Sequence, residues 1–374
     1  MIGILGGGQL GRMLALSGYP LGLQFRVLDT SGDAPAGHMA GLVWGAYEDK
    51  EILNSFASGL DSVTYEFENV PVGAARYLEG RLPVFPPSRA LEVSQDRLFE
   101  KQLFQKLGIP TAPFAPVESK AELTDALHKL GAPSILKTRR GGYDGKGQLV
   151  IKNLKDAAHA WHALGGVPLI LEGFVNFHRE LSILAVRSKS GPCAFYPLAE
   201  NHHREGILRL SLAPAPRWTK ELQTQAVSLA KKVLNELQYV GVLAIELFET
   251  SAPKGKTGSV LVANEMAPRV HNSGHWSIEG AQTSQFENHL RAGLGWPLGS
   301  CEARGQAAMV NLIGNFPELP ASFEFPNAHW HLYGKAPRAG RKIGHVTLCE
   351  TSVKDREQAL KGLYKALEMP DPRA

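Results

Sequence analysis

Lys137-Thr138-Arg139-Arg140-Gly141-Gly142-Tyr143-Asp144-Gly145-Lys146-Gly147-Gln148 sets four glycines and four basic residues between two strand-like runs, Ser134–Thr138 and Gln148–Lys152. A glycine loop can fold over a polyphosphate and offer it backbone N–H groups, while Lys and Arg offset its charge. Lys137 closes an apolar strand, where a fixed ammonium has little purpose without a partner. The alternative is a hairpin with a solvated basic turn, which does not call for four glycines. The loop is not a Walker A element, because no G-x-x-x-x-G-K-[ST] occurs.

Downstream, two acids interrupt apolar strands: Glu246 within Leu243–Phe248 and Glu265 within Ser259–Met266. A carboxylate there is costly unless paired or metal-bound. Two of them on neighbouring strands beside a phosphate loop suit Mg²⁺, held between carboxylate and phosphate oxygens. Each could instead be salt-bridged to an arginine. The run Ala267-Pro268-Arg269-Val270-His271-Asn272-Ser273-Gly274-His275-Trp276 follows at once. Arg269 could clamp a small oxyanion and His271 and Asn272 could orient it; His275 and Trp276 read as packing. Lys335-Ala336-Pro337-Arg338-Ala339-Gly340-Arg341-Lys342 gathers four cations around a turn, either a solvated loop or a phosphomonoester pocket.

Upstream, Ile2–Leu5 and Gln24–Asp29 read as strands, Gln9–Ser17 as a helix and Val63–Phe67 as a further strand, which implies a parallel sheet. Gly6, Gly8 and Gly11 form G-x-G-x-x-G after the first strand, and Asp29 ends the second. That pattern suits a dinucleotide as well as other anionic ligands. Val84–Ser88 breaks the alternation and marks a boundary. A helical pattern covers Leu91–Leu107, then a helix lies around Glu122–Leu130. Leu169–Leu171, Leu181–Val186, Leu243–Phe248 and Ser259–Glu265 read as strands of a mainly β core packed by helices at Lys220–Leu237 and Gln285–Ala292. Strands at Ala307–Leu312 and His329–Tyr333 precede the cationic loop and a final helix near Lys354–Leu367.

The chain has 374 residues, 44% hydrophobic and 20% charged, with a net charge of +4. It is long enough for two or three domains at about 100–200 residues each. The small charge excess does not suggest a nucleic-acid or membrane partner. Cys193, Cys301 and Cys349 are too few and too scattered for a disulfide framework or structural zinc, and a reducing cytoplasm is expected. No apolar run reaches the length of a membrane span.

Together these stretches resemble the ATP-grasp superfamily, and within it the carboxylating ligases of purine biosynthesis. The likeness runs through Gly6–Met13, Tyr65–Val70, Gln95–Arg97, Arg139–Gln148, Arg179–Ser182, Tyr196–Asn201, Gly241–Phe248, Asn264–Trp276, Gln285–Ala292 and Gly340–His345. It implies an α/β and α+β architecture. Residues 1–90 would be an N-terminal parallel-sheet domain that binds substrate, and residues 91–295 an ATP-grasp core of mixed sheet, with a small lid at roughly 112–172. Residues 296–374 would be a small β-rich C-terminal segment.

The implied reaction carboxylates 5-aminoimidazole ribonucleotide with bicarbonate and ATP through carboxyphosphate, giving ADP and phosphate. By the same resemblance, Arg97 and Lys137 contact ATP phosphates, and Gly142, Tyr143, Asp144, Gly145, Lys146, Gly147 and Gln148 cover them. Glu172, Gly173, Phe174 and Val175 meet the adenine. Glu180 holds the ribose, with His203, Asn264 and Glu265 completing the nucleotide site, and Glu246 and Glu265 hold Mg²⁺. The ribonucleotide falls to Gln9, Leu10, Glu68, Tyr143, Asp144, Lys335, Arg341 and Lys342, and bicarbonate to Arg269, His271 and Asn272. A homodimer is the family expectation. Formate- or biotin-dependent ATP-grasp chemistry, a nicotinamide oxidoreductase built on Gly6–Gly11 and Asp29, and a non-catalytic nucleotide-binding regulator are the rival functions.

Overall fold

The computed structural model describes residues 1–142, 145–252, 257–316, 325 and 327–374. Tyr143 and Asp144, expected in the lid and at the ribonucleotide, lie outside the described residues.

The N-terminal apolar runs form β1 (Ile2–Leu5), β2 (Phe25–Asp29), β3 (Gly41–Trp44) and β4 (Ser62–Tyr65), all parallel in the order β3-β2-β1-β4. Every residue of β1 and β4 is buried, as a parallel sheet covered on both faces requires. Edge strand β3 is exposed at both ends and carries no apolar alternation, which is why its sequence does not announce it.

A second, antiparallel sheet contains β5 (Phe114–Val117), β6 (Ser134–Thr138), β7 (Gln148–Ile151) and β8 (Leu169–Gly173) in the order β5-β8-β6-β7. Its β6 and β7 are the arms of the glycine loop, with Lys137 opposite Gln148. Helices Lys120–Leu130 and Ala157–Leu164 pack on it through Leu123, Ala126, Leu127 and Ala160.

The third sheet is the largest. Its strands are β9 (Arg179–Arg187), β10 (Cys193–Phe195), β11 (Ala199–Arg204), β12 (Ile207–Ala213), β13 (Gly241–Ser251), β14 (Ser259–Ala267), β15 (Gln306–Ile313), β16 (Ala328–Leu332) and β17 (Lys342–Glu350). They run β14-β13-β9-β11-β12-β15-β17-β16, with β10 on β9. A parallel bridge from Thr111 to Ala263 at the β14 edge makes the sheet mixed. Because β12 pairs with β15, the C-terminal strands extend this same sheet. Helix Lys220–Glu236 buries Leu222, Ala226, Leu229, Ala230, Val233 and Leu234 at helical spacing, and Thr219 caps it by accepting from the Leu222 N–H.

Two expectations are corrected. The pattern over Leu91–Leu107 is two helices, Ser88–Ser94 and Arg97–Lys106, because Asp96 takes an extended conformation and caps the second by accepting from the Leu98 N–H. After the cationic loop the chain forms β17 before the final helix, Val353–Ala366. Strands β11 and β12, also unforeseen, are joined by Glu205 and Gly206 at φ 56° and 74°, the paired positive angles of a tight hairpin.

Candidate active site

The three sheets enclose a cavity of about 720 Å³. Its wall draws Gln9, Leu10 and Glu68 from the N-terminal domain, Arg97 from its helix, and Lys137, Gly142, Gly145 and Gln148 from the glycine loop and its arms. The large sheet and its loops add Glu180, His203, Glu246, Asn264, Glu265, Arg269, His271, Asn272, Lys335 and Lys342. Lys146, Gly147, Glu172, Gly173, Phe174, Val175 and Arg341 lie off this wall.

Two bulges aim the acidic side. Glu246 stands directly opposite Glu265 across β13 and β14, and the register slips immediately beyond, leaving Asn264 as the extra residue. A second slip beside His203, where β11 pairs with β12, leaves Arg209 as the extra residue. Burial and then the charge of Glu265 push the Glu246 carboxyl up to about 7. Burial acts on Glu265 in the same direction, but Arg97, whose Nη1 donates to Oε2 at 2.8 Å, outweighs it and holds this carboxyl down at about 2. The salt-bridged alternative is thus half met, since Glu265 has its arginine while Glu246 faces the His271 Nε2 at 3.5 Å.

Two facing carboxylates, one raised by burial and its neighbour's charge, fit a hard divalent cation. Among the described residues no group of three or more His, Cys, Asp or Glu is arranged to hold a metal ion. The protein would therefore supply two oxygen ligands and leave the others to phosphate and water, as Mg²⁺ sites usually do.

The cationic side is locked from behind. Lys137 Nζ donates to Glu172 Oε2 at 3.1 Å, and Lys101 Nζ lies 3.3 Å from the same oxygen while donating to the Asn264 carbonyl at 2.7 Å. Burial lowers the Lys137 pKa while Glu172 opposes it. Glu172, expected at the adenine, is the counter-ion of Lys137 and lies off the cavity wall. Arg139 forks onto both Asp96 oxygens at 2.9 and 2.8 Å, and Arg140 reaches Asp96 at 3.4 Å. These two cations fasten the glycine hairpin to the capped helix, whereas sequence spacing suggested a role in neutralising phosphate. His203 Nδ1 is 2.6 Å from Glu180 Oε2; burial lowers the imidazole pKa, but this carboxylate raises it above the ordinary value.

At the N-terminal turn, the N–H groups that a dinucleotide phosphate would need are already taken. Gly7 N–H donates to Asp29 Oδ2 at 2.6 Å, and Gly8, Leu10 and Gly11 donate to the Glu66 carboxylate at 2.8, 3.0 and 3.1 Å. Gln9 projects instead and accepts from Lys335. Arg269 donates to Glu68. Asn272 and Asn311 exchange amide hydrogen bonds of 3.1 and 2.7 Å. Burial, reinforced by the Arg269 charge, depresses the His271 pKa to about 3, so its ring is neutral. His275 and Trp276 are fully buried, as packing residues should be.

Sequence reasoning missed Glu66, Lys101 and Asn311. Lys101 lies one helical turn after Arg97, which was a usable signal. Glu66 stands in the apolar run Val63–Phe67, the same signal that marked Glu246 and Glu265, whereas Asn311 gave none, because its partners, Asn272 and the Leu208 carbonyl, are distant in sequence.

Three family models cover the chain in succession: a ribonucleotide synthetase preATP-grasp domain at residues 1–95, an ATP-grasp domain at 102–286, and a phosphoribosylaminoimidazole carboxylase C-terminal domain at 307–359. An N5-carboxyaminoimidazole ribonucleotide synthase from Pseudomonas aeruginosa is 49% identical over 347 residues, spanning 93% of this chain and 94% of its own. The crystal structure of an N5-carboxyaminoimidazole ribonucleotide synthetase from Thermus thermophilus superposes with TM-score 0.93 at 57% identity, covering 99% of both chains. An N5-carboxyaminoimidazole synthase from Aspergillus clavatus in complex with ADP and 5-aminoimidazole ribonucleotide gives TM-score 0.89 at 32% identity over 98% of both chains.

Proposed function

Because the chain belongs to the N5-carboxyaminoimidazole ribonucleotide synthase family, we propose that its cavity carries out that reaction on bicarbonate with the residues described above. The chain is an ADP-forming ATP-grasp ligase of purine biosynthesis that carboxylates 5-aminoimidazole ribonucleotide. The observation that supports the site best is that Glu246 and Glu265 face each other in the same cavity as Lys137, Arg97, Arg269 and the Gln9–Lys335 pair.

In this scheme Arg97 and Lys137 hold the triphosphate, Glu180 and His203 the ribose, and Glu172 acts through Lys137. Mg²⁺ bound by Glu246 and Glu265 would offset charge on the phosphate oxygens. Arg269, His271 and Asn272 hold bicarbonate in line with the γ-phosphorus. A bicarbonate oxygen forms the new P–O bond as the β–γ bridging bond breaks and ADP leaves. The nucleotide's amine then bonds the carboxyl carbon of carboxyphosphate, or the CO₂ it releases, phosphate departs, and the amine proton is lost to an oxygen base. Carboxyphosphate is short-lived in water, so a glycine hairpin pinned through Asp96 over the cavity serves to exclude solvent.

Gln9, Leu10, Glu68, Lys335 and Lys342 receive the ribonucleotide, its phosphate meeting the two lysines, while Arg341, off the wall, adds its charge. A cytoplasmic homodimer is the expected setting. Among the described residues no helix is long and apolar enough to cross a membrane. Purified protein should release phosphate from ATP only with Mg²⁺ and bicarbonate, and much faster with 5-aminoimidazole ribonucleotide. Equal turnover with and without that nucleotide rejects the proposal.

A further inference from the structure

Three polar side chains occupy the interior of the large sheet where apolar ones would pack. Ser182 on β9, Asn201 on β11 and Ser211 on β12 are 0%, 5% and 0% exposed, and Asn201 stands opposite Ser211. None lines the cavity, and all three sit in buried stretches of their strands. Their hydrogen bonds run one way. Ser211 Oγ donates to Asn201 Oδ1 at 2.7 Å, Asn201 Nδ2 donates to Ser182 Oγ at 2.9 Å, and Ser182 Oγ donates to Ser273 Oγ at 2.8 Å.

A hydroxyl carries a single proton. Ser273 Oγ receives the Ser182 proton, so its own is free for the His271 Nδ1, 2.9 Å away. The Ser273 backbone N–H donates to the same nitrogen at 3.3 Å. A ring nitrogen that accepts from two donors carries no proton of its own, which leaves the proton on Nε2. Nor can the residue swing away, because its backbone is clamped by Gln285: His271 N–H donates to Oε1 at 2.9 Å, and Nε2 of Gln285 donates to the His271 carbonyl at 2.7 Å.

We infer that Ser211, Asn201, Ser182 and Ser273 form a directional relay that fixes His271 as its Nε2–H tautomer. The four are positioning residues, and His271 enters the cavity as a hydrogen-bond donor to an oxyanion, not as a general base. The assignment to carboxylation rests on the proposed function. The tautomer itself does not. A network serving only to staple strands would end within the sheet, whereas this one leaves it and terminates on the imidazole of the 271–274 loop.

The test uses the full chain labelled with ¹⁵N-histidine and two-bond proton–nitrogen correlation spectra, with His271 assigned by the signals lost in His271→Gln. The expected pattern is Nε2 protonated and Nδ1 bare. A protonated Nδ1, or a mixture, overturns the inference whatever the activity. Ser182→Ala removes the donor to Ser273. It is expected to lower kcat with the ribonucleotide by about tenfold, the low end of what is lost when the partner orienting a metal-bound imidazole is removed. The KM for ATP should stay unchanged and the tautomer signals should become mixed.

Unchanged kcat and tautomer in that variant, or a fall in kcat with the tautomer unchanged, overturns the relay. If the variant does not fold, the parent's tautomer still decides. A parent with the expected tautomer but no nucleotide-dependent turnover overturns the carboxylation reading alone.

Discussion

Replacing Glu172 with Gln tests whether this acid serves the adenine or the lysine behind the triphosphate. Its Oε2 lies 3.1 Å from Lys137 Nζ and 3.3 Å from Lys101 Nζ, and all three side chains are less than a tenth exposed. At those separations each contact is worth about 5 kcal/mol at an effective dielectric constant near 20. Removing the shared anion leaves two buried ammonium groups without it, and breaking buried pairs in this way costs about 3–5 kcal/mol. Urea unfolding at pH 7 should show a loss of that size.

Burial already lowers the Lys137 pKa and Glu172 is the first group opposing it, so the variant's Lys137 loses its proton more readily. Losing that charge removes a phosphate contact of about 1.5–3 kcal/mol. The KM for ATP should therefore rise roughly tenfold to a hundredfold, and recover in part as pH falls and the ammonium re-forms. In the parent, burial raises the Glu172 pKa, but Lys137 and Lys101 together hold it below the ordinary value. Its contribution to stability is thus present above the usual carboxylate range and lost as pH falls through that lowered value. Lys101→Met combined with Glu172→Gln should restore part of the stability, since the second unpaired cation is gone. A raised KM for ATP that ignores pH, with stability unchanged, would refute this account and return Glu172 to the adenine.

Glu265→Gln removes the Arg97 partner at 2.8 Å and one of the two facing carboxylates. Turnover should fall by the equivalent of several kcal/mol in the barrier, with cooperative unfolding retained, and activity within a few-fold of the parent would exclude a metal role. Asp96→Asn loses the Arg139 fork but keeps an oxygen for the Leu98 N–H, so urea unfolding at pH 7 should show a loss of about 2–4 kcal/mol. Burial opposes but Arg139 prevails in holding Asp96 below its ordinary pKa, so parent and variant should converge as pH falls through that lowered value. Lys335→Met should raise the KM for the ribonucleotide by about 1.5–3 kcal/mol's worth. Arg341→Ala should do less, because Arg341 lies off the cavity wall and donates to the Ala336 carbonyl at 3.1 Å; an effect confined to ATP would show the cluster misassigned.

Strands with an apolar face and helices with an apolar stripe were legible, and so was the pairing of Glu246 with Glu265, because a carboxylate in an apolar strand advertises itself. Strand β11 was not. Its run Glu200-Asn201-His202-His203-Arg204 has no apolar alternation, since its side chains go to Arg179, Ser182 and Glu180 across the sheet. The bulges that free Asn264 and turn His203 are equally invisible, because an extra residue on one strand is defined only by the strand it faces. Glu172 could be seen as an acid near the nucleotide, but its pairing with Lys101 could not, because Lys101 comes from a helix far earlier in the chain.

The N-terminal turn is where local pattern and tertiary context disagree most. G-x-G-x-x-G after a first strand, with an acid closing the second, describes a phosphate-binding turn, and its physics is sound: free N–H groups at a helix start attract an anion. In this chain that anion is internal. Glu66, delivered by β4, meets three of those N–H groups, and Asp29 meets a fourth, so no pyrophosphate can approach without displacing two carboxylates. Burial raises the Glu66 pKa while the Gly11 and Gly8 N–H groups oppose it, so the carboxyl is held in place by the turn that it fills. A Cβ at Gly8 would clash with the Glu66 carboxylate, so the glycine is required by the chain's own acid and not by a ligand. The filled turn leaves Gln9 as its outward side chain, bound to Lys335 at the edge of the cavity. The same glycines that would seat a dinucleotide therefore serve here to fix one wall of the cavity.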